Sequence, residues 1–205
     1  MNQTASTSKK TSAKDKILSC ALELFNKQGT SAISTNHIAK SASISPGNLY
    51  YHFKNKEEII LNIYLSMNFE CQDCMEKRQL QTLSNLEELN EYLSQLLEIQ
   101  WKYLFLSREF PALIAQDPNL NEVFQKVQEQ RLQDITQDIQ NSVDAGFLIP
   151  MPPEDVEALV QAIWMSALFW TPFAASRGGE LTKEQMAGGH KMMQFLLKPY
   201  LSITP

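Results

Sequence analysis

The chain has 205 residues, of which 43% are hydrophobic, and a formal net charge of −5 at pH 7. That length holds a small domain beside a larger one, with enough apolar residues for a sizeable core. No apolar run reaches the roughly 18 residues of a membrane span, and residues 1–13 lack the apolar stretch of a signal peptide, so the sequence predicts a cytoplasmic protein without a membrane partner.

The amino-terminal end of the chain is more basic than the rest. Residues 1–60 carry eight lysines and four carboxylates, a net charge of +4, so residues 61–205 carry −9. This distribution is typical of a protein that contacts phosphates with one end only. Residues 1–13 are rich in Ser, Thr and Lys, and we predict that they form a flexible basic arm containing Lys9 and Lys10.

The first predicted helix covers Lys14–Gln28. Its apolar residues recur at helical spacing and form one stripe, which consists of Ile17, Leu18, Ala21, Leu24 and Phe25. Gly29 follows directly, at a position where glycine commonly ends a helix. A second, short helix is predicted over Asn36–Ala42, with the Thr35 hydroxyl as its cap.

A third helix is predicted after a tight turn. Ser45 is its expected cap, and Pro46 suits its first position. Leu49 and Phe53 are four residues apart and therefore face inward together. The start of the helix is left exposed, and this is the part of a recognition helix that meets the edges of DNA bases.

We predict that this helix-turn-helix binds double-stranded DNA. Hydroxyl groups, lysine ammonium groups and helix N-termini are the usual donors to phosphates. The predicted DNA-binding residues are Thr35, Ser45, Pro46, Gly47, Asn48, Tyr50, Tyr51, His52, Lys54 and Lys56. His52 is assigned to this surface and not to a metal site, because no partner lies at metal-ligand spacing.

The three helices, with the tract SPGNLYYHFKNKEEII from Ser45 to Ile60, resemble the N-terminal domain of the TetR family of bacterial transcriptional regulators. The resemblance extends from about Lys14 to Tyr64. The segment Trp101–Leu120 is similar to one branch of TetR C-terminal domains. After the basic arm over residues 1–13, the resemblance implies a helix-turn-helix domain over residues 14–60 and a helical effector-binding and dimerisation domain over residues 61–205.

The remainder of the chain is also predicted to be helical, so the expected fold class is all-α. No alternating strand pattern is present, and turn signals separate long periodic segments. The predicted helices are Glu57–Leu80, Asn85–Ala115, Asn119–Ala145, Pro153–Ser176 and Thr182–Leu201. Pro172 lies inside the fourth of these and is expected to kink it.

Aromatic residues on three of these helices predict a ligand pocket, although an apolar cluster of this kind is more often plain core. The predicted ligand-binding residues are Trp101, Phe105, Arg108, Phe124, Trp164, Phe169 and Trp170. Arg108 and Glu109 interrupt an apolar stretch and are either the polar groups of this pocket or an ordinary surface pair.

Two apolar stripes on the last two helices predict a dimer interface. They consist of Val156, Leu159, Val160, Ile163 and Ala167, and of Met192, Met193, Leu196, Leu197 and Tyr200. Gly188 and Gly189 lie inside the last helix, where a close approach between helices would offset the cost of glycine, about 1 kcal/mol each relative to alanine. In proteins that resemble the TetR family, these helices form a four-helix bundle with a two-fold mate, which implies a palindromic operator.

The sequence therefore predicts a homodimeric transcriptional regulator, a repressor that an unknown, partly apolar small molecule releases from its operator. No cofactor is expected, and no catalytic motif is present. Two alternatives remain open. Cys71 and Cys74 share one helix face and could serve a redox- or metal-responsive regulator, and the chain could be a helical binding protein without operator function.

Overall fold

The computed structural model describes residues 12–79, 83 and 85–202, so the predicted basic arm lies almost wholly outside the described residues. Within them, secondary structure is helical except for one isolated bridge between Leu148 and Leu201. The helices are α1 (Ala13–Gln28), α2 (Thr35–Ser41), α3 (Pro46–His52), α4 (Lys56–Gln79), α5 (Leu86–Lys102), α6 (Leu104–Gln116), α7 (Pro118–Asp144), α8 (Pro153–Ser176) and α9 (Lys183–Leu197). The predicted all-α class is confirmed. The chain forms two compact units that divide after Ile63, inside α4.

The first unit contains α1, α2, α3 and the beginning of α4. Ser12 and Asp15 form a capping box at the start of α1, and the N–H of Gly29 bonds to the Phe25 carbonyl at its end. Gly29 has a φ of 78°, in the region that disfavours side chains, which explains the glycine at this stop. The core of the unit is formed by side chains that are almost fully buried, namely Ile17, Ala21, Phe25, Ile38, Leu49, Phe53 and Ile59.

The caps of α2 and α3 set the orientation of the helix-turn-helix. Ser34, and not the predicted Thr35, caps α2: its Oγ accepts the His37 N–H, while His37 Nδ1 accepts the Ser34 N–H. Thr35 is the first residue of α2, which releases its hydroxyl for another contact. Ser45 caps α3 as predicted, since its Oγ accepts the Asn48 N–H at 3.2 Å.

The second unit contains the rest of α4 and helices α5 to α9. The predicted helix Asn85–Ala115 is two helices, because the backbone of Tyr103 leaves helical geometry with a ψ of 41°. The Tyr103 hydroxyl donates to Glu70 on α4 at 2.6 Å, which fixes the break. The predicted helix Thr182–Leu201 ends at Leu197 and continues as a short 3-10 turn, Lys198–Tyr200.

Part of the two apolar stripes predicted at a dimer interface lies inside this unit. Leu159 and Val160 on α8, and Met193 and Leu197 on α9, are buried in one cluster with residues of α5 and α7. The prediction is wrong for these four residues, because α5 packs against α9 and α7 packs against α8.

Helix α8 combines an apolar composition with little burial. By length and composition alone, α8 is long and apolar enough to cross a membrane. This property was not predicted from the sequence, because no uninterrupted run of apolar residues in the chain is that long. Only about a fifth of its most apolar window, 22%, is buried within the unit. Helix α8 therefore has a largely apolar face that this chain alone does not cover.

Candidate nucleic-acid interface and internal cavity

The beginning of α3 projects from the first unit. Leu49 is fully buried and Phe53 nearly so, and these two side chains fix the inner side of the helix. Ser45, Pro46, Gly47 and Asn48 are exposed. A helix end that is anchored from below and exposed on its first turn can enter the DNA major groove, which is about 12 Å wide.

The fold of this chain does not require a glycine at position 47. A Cβ placed on it would meet nothing within 4 Å, and its φ is not in the left-handed region. Glycine inside a helix costs about 0.5–1 kcal/mol relative to alanine. The glycine leaves the backbone of this turn open to close approach from outside the chain.

The hydroxyl groups of Thr35 and Tyr50 meet between α2 and α3, with their oxygen atoms 3.0 Å apart. Each hydroxyl can donate one hydrogen bond, so only one of them donates within the pair. The other proton is available to an acceptor outside. The two hydroxyls lie in a concave surface of the first unit that Lys54, Asn55 and the loop from Ser31 also line.

The two predicted lysines have different environments. The Lys56 ammonium donates to the Thr30 carbonyl at 2.7 Å and is half-buried. Lys54 is exposed, and its backbone N–H donates to Glu58, whose own N–H donates to the Asn55 side chain. Lys54 is therefore the more accessible of the two cations, while Lys56 also holds the loop before α2.

The ten predicted DNA-binding residues all lie in the first unit, at α2, α3 and the beginning of α4. Seven are exposed: Ser45, Pro46, Gly47, Asn48, Tyr50, Tyr51 and Lys54. Three are half-buried: Thr35, His52 and Lys56. Tyr51 is the most exposed aromatic residue of this surface, at 84%. An aromatic ring with a polar end in that position can reach a phosphate.

The second unit encloses a cavity of about 230 Å³. Of the predicted ligand residues, Phe124 and Trp164 line it, and the Trp164 indole donates to Gln128 at 3.0 Å. Five others do not line it: Trp101, Phe105, Arg108, Phe169 and Trp170. Phe105 is fully buried elsewhere in the core, whereas 48% of the Phe169 side chain is exposed.

The polar residues of the cavity were not predicted. They come from α4, α5, α6 and α7, and they include Asn68, Arg78, Gln100, Ser107, Arg131 and Asp138. Asn68 and Arg78 belong to a stripe of α4 at helical spacing whose other members are Tyr64, Met67, Cys71 and Met75. This interruption of an apolar stripe by polar residues is the sequence signal that could have identified them.

Burial keeps the hydroxyl groups of two tyrosines at the cavity protonated. It raises the pKa of the Tyr64 hydroxyl above its usual range, and it raises the pKa of Tyr92 to about 12. Burial also lowers the pKa of the Arg78 guanidinium, which Asp138 and the Tyr92 ring contact. The two tyrosines are therefore neutral hydrogen-bonding groups at neutral pH.

The Cys71 and Cys74 thiols are also held in the protonated form. Burial raises the pKa of Cys71 to about 11 and raises the pKa of Cys74. A reactive or metal-bound cysteine needs a thiolate. Among the described residues, no group of three or more His, Cys, Asp or Glu side chains could hold a metal ion.

Comparison with known proteins connects both units to one family. Residues 17–63 match the bacterial regulatory proteins of the tetR family, and residues 67–204 match the TetR family described as bacterial transcriptional repressors. The crystal structure of a TetR-family transcriptional regulator from Marinobacter aquaeolei VT8 aligns with a TM-score of 0.82 and 31% identity, covering 94% of this chain and 92% of that one.

Two curated proteins of Staphylococcus aureus are similar in sequence. The HTH-type transcriptional regulator QacR is 40% identical over 92 residues, which are 45% of this chain and 48% of QacR, so the match spans about half of that protein. The biofilm operon icaADBC HTH-type negative transcriptional regulator IcaR is 25% identical over 170 residues, which cover 79% of this chain and 88% of IcaR.

Proposed function

Because this chain belongs to the TetR family of bacterial transcriptional regulators, we propose that it is a homodimeric repressor that a small molecule releases from a palindromic operator. The family makes it a DNA-binding transcriptional regulator. The observation that supports the DNA-reading site is the exposed first turn of α3, which Leu49 and Phe53 anchor from below. We propose that the chain acts by binding alone, in the cytoplasm, without catalysing a reaction.

The proposed division of labour at the interface follows from the accessibility of each group. Ser45 to Asn48 would approach base edges, since they begin the helix that enters the groove. Thr35, Tyr50, Tyr51 and Lys54 would contact phosphates on either side. Because phosphate contacts release counterions, binding to every DNA sequence should weaken as salt increases.

The exposed apolar residues of α8 and α9 support dimerisation. Met165, Phe169 and Phe173 are four residues apart along α8, and Met192 and Phe195 are exposed on α9, which packs against α8. Exposed apolar residues on two helices that pack together are typical of a protein interface. We propose that a second copy covers it through a two-fold interface, so that two α3 helices reach successive major grooves about 34 Å apart.

The cavity supports control by a small molecule. Helix α4 begins at Lys56, directly after the helix-turn-helix, and from Tyr64 onwards it lines the cavity of the second unit. We propose that the effector favours a conformation in which α4 has moved and the two recognition helices no longer match the operator spacing. The effector must bind this conformation more tightly than the DNA-bound one.

The experiment is a salt-dependent gel shift with the region upstream of the protein's own gene. We expect retardation at low salt, competition by an excess of the same fragment, and steep loss with increasing salt. A chain that binds this fragment no better than random DNA of equal length would contradict operator recognition. If binding is specific but no compound library member releases it, only the effector part of the proposal is overturned.

The redox- or metal-responsive alternative is tested in the same assay. Raised thiol pKa values oppose it, because they keep Cys71 and Cys74 protonated. Diamide or a chelator should leave operator affinity unchanged. A reversible loss of affinity that a Cys71→Ser, Cys74→Ser double variant abolishes would support the alternative.

A further inference from the structure

The cavity follows helix α4 over several turns. Six residues of α4 line it in one stripe, namely Tyr64, Met67, Asn68, Cys71, Met75 and Arg78. From Tyr64 to Arg78 is 14 residues, which at about 1.5 Å per residue is about 21 Å of helix. This channel of about 230 Å³ along α4 has room for a chain-like molecule.

The first buried charge in the channel wall is neutralised by its neighbours. The Arg131 guanidinium lies 3.2 Å from the Asp134 carboxylate, and it donates to the Asn68 side chain at 2.8 Å and to the Asn68 carbonyl at 3.2 Å. It also donates to Gln72. Arg131 therefore joins α7 to α4 and has no free charge to offer a ligand.

The second buried cation, Arg78, differs from Arg131 in its hydrogen bonding. Arg78 forms an ion pair with Asp138, and its guanidinium lies 5.0 Å from the centre of the Tyr92 ring. Its side chain is only 9% exposed, and three buried atoms of this ion pair have no hydrogen bond among the described residues: Nε and Nη2 of Arg78 and Oδ1 of Asp138. A buried donor without a partner is costly and is usually completed by a water or a ligand.

The charges in the wall limit the charge of the ligand. Arg78 with Asp138, and Arg131 with Asp134, leave the channel without net charge. An ionised ligand would lose its hydration and gain no free counter-charge, which opposes its binding. An uncharged oxygen, in contrast, can accept a hydrogen bond from the guanidinium of Arg78, which lines the cavity, at no such cost.

We propose that the effector is an elongated, uncharged and mainly apolar molecule with one oxygen acceptor, which Arg78 binds at the end of the channel far from Tyr64. The inference rests on the proposed function, because it takes the channel as the effector site. It adds the chemical class: a long-chain alcohol, ester or amide, and neither a fatty carboxylate nor a quaternary ammonium compound.

The test compares three probes of equal chain length on the full chain by titration calorimetry: decanol, decanoate and decyltrimethylammonium. We expect decanol to bind at least tenfold more tightly than either charged probe. Equal or tighter binding of a charged probe overturns the inference. Failure of all three probes to bind also overturns it.

Two variants should change which probe binds more tightly. Each result is a ratio of two probe affinities measured on the same variant, so a partial loss of stability does not obscure it. Asp138→Asn leaves the Arg78 charge unpaired, and the ratio of decanoate to decanol affinity should rise at least tenfold. Arg78→Met leaves the Asp138 charge unpaired, and decyltrimethylammonium should gain over decanol. Circular dichroism establishes that each variant is folded.

Arg108→Met is the matched control. Arg108 lies on α6, pairs with Glu109 at 2.8 Å and does not line the channel. Its loss should leave all three affinity ratios unchanged. If Asp138→Asn and Arg78→Met behave like this control, Arg78 does not select the ligand, and the inference fails.

Operator binding distinguishes this inference from the function on which it rests. Each variant is also measured without probe in the gel shift with the upstream DNA fragment. Specific operator binding together with tighter binding of a charged probe overturns the effector class and leaves the repressor function intact. Absence of specific operator binding overturns the proposed function, whichever probe the channel prefers.

Discussion

The Thr35 and Tyr50 hydroxyl oxygens lie 3.0 Å apart and join the first residue of α2 to the middle of α3. Each residue is on the exposed side of its helix, so the pair is not part of the core. Because the pair lies beside the exposed first turn of α3, both hydroxyls are placed where the proposed DNA contact would be.

Removal of either hydroxyl should weaken DNA binding without unfolding the protein. Thr35→Val and Tyr50→Phe should each cost about 0.5–1.5 kcal/mol of binding free energy, the usual contribution of one hydrogen bond. The double variant should cost less than the sum, because both hydroxyls act as one unit. Gel shifts on operator and on random DNA should show the same loss, since phosphate contacts do not read sequence.

Tyr51→Phe provides the comparison, because the Tyr51 ring is 84% exposed and contacts the His52 ring at its edge. The loss of binding free energy from Tyr51→Phe should add fully to the loss from Tyr50→Phe. If the losses from Thr35→Val and Tyr50→Phe also add fully, the hydrogen bond between these two residues has no role in DNA binding.

Gly47→Ala should make the free protein more stable and bind DNA less well. Nothing lies within 4 Å of the added Cβ, so the gain is the helix propensity of alanine, about 0.5–1 kcal/mol. The same methyl group would separate α3 from the DNA. Urea unfolding and a gel shift measure the two effects. Gly146→Ala is the control: it also has open space, but its φ of 76° should make alanine destabilising.

The helix-turn-helix was predictable from sequence because its signals are local. Ser45 and Pro46 define the start of α3 within two residues. The error at α2 was a choice between adjacent hydroxyls: Ser34 caps the helix, and Thr35 instead contacts Tyr50. The propensity rules cannot separate a cap from its neighbour when both are Ser or Thr.

The cavity was not predictable in the same way, because it depends on how each helix is rotated against the others. Trp164 and Phe169 were assigned to one pocket, but residues five apart on a helix point about 140° away from each other. Trp164 lines the cavity and Phe169 is on the outer face. The ion pair of Arg78 with Asp138 joins α4 to α7, which no local signal could reveal.

Gly188 and Gly189 should tolerate no side chain, since α9 packs there on Trp170 of α8. A Cβ on Gly189 would lie 2.9 Å from Trp170 Cγ, and one on Gly188 would lie 2.8 Å from its Cε2. Alanine at either position should cost about 1–3 kcal/mol of folding stability, as overpacking commonly does. Thermal unfolding measures the loss. Trp170→Leu should suppress the added cost of Gly188→Ala; if the costs simply add, Trp170 is not the cause.

Cys71 should react slowly with thiol reagents in the folded protein. Burial raises its pKa to about 11, so the thiolate is rare at pH 8 and labelling should accelerate as pH rises toward that value. Peptide mass spectrometry after a short iodoacetamide pulse should show at least tenfold less label on Cys71 than in urea. Equal labelling in both conditions would mean that Cys71 is accessible as thiolate, and would reopen the redox alternative.

The apolar face of α8 and α9 should determine whether the protein binds DNA as a pair. Phe195 is 69% exposed on α9, and Phe195→Glu would place a charge in the proposed two-fold interface, once from each copy. Sedimentation velocity should then report a monomer, and operator affinity should fall at least tenfold, because the two α3 helices are no longer linked. Phe69→Glu is the matched control: Phe69 is 74% exposed on α4, outside this face, so the variant should remain dimeric. A dimeric Phe195→Glu variant with normal operator affinity would place the interface elsewhere, and the apolar surface of α8 would then need another partner.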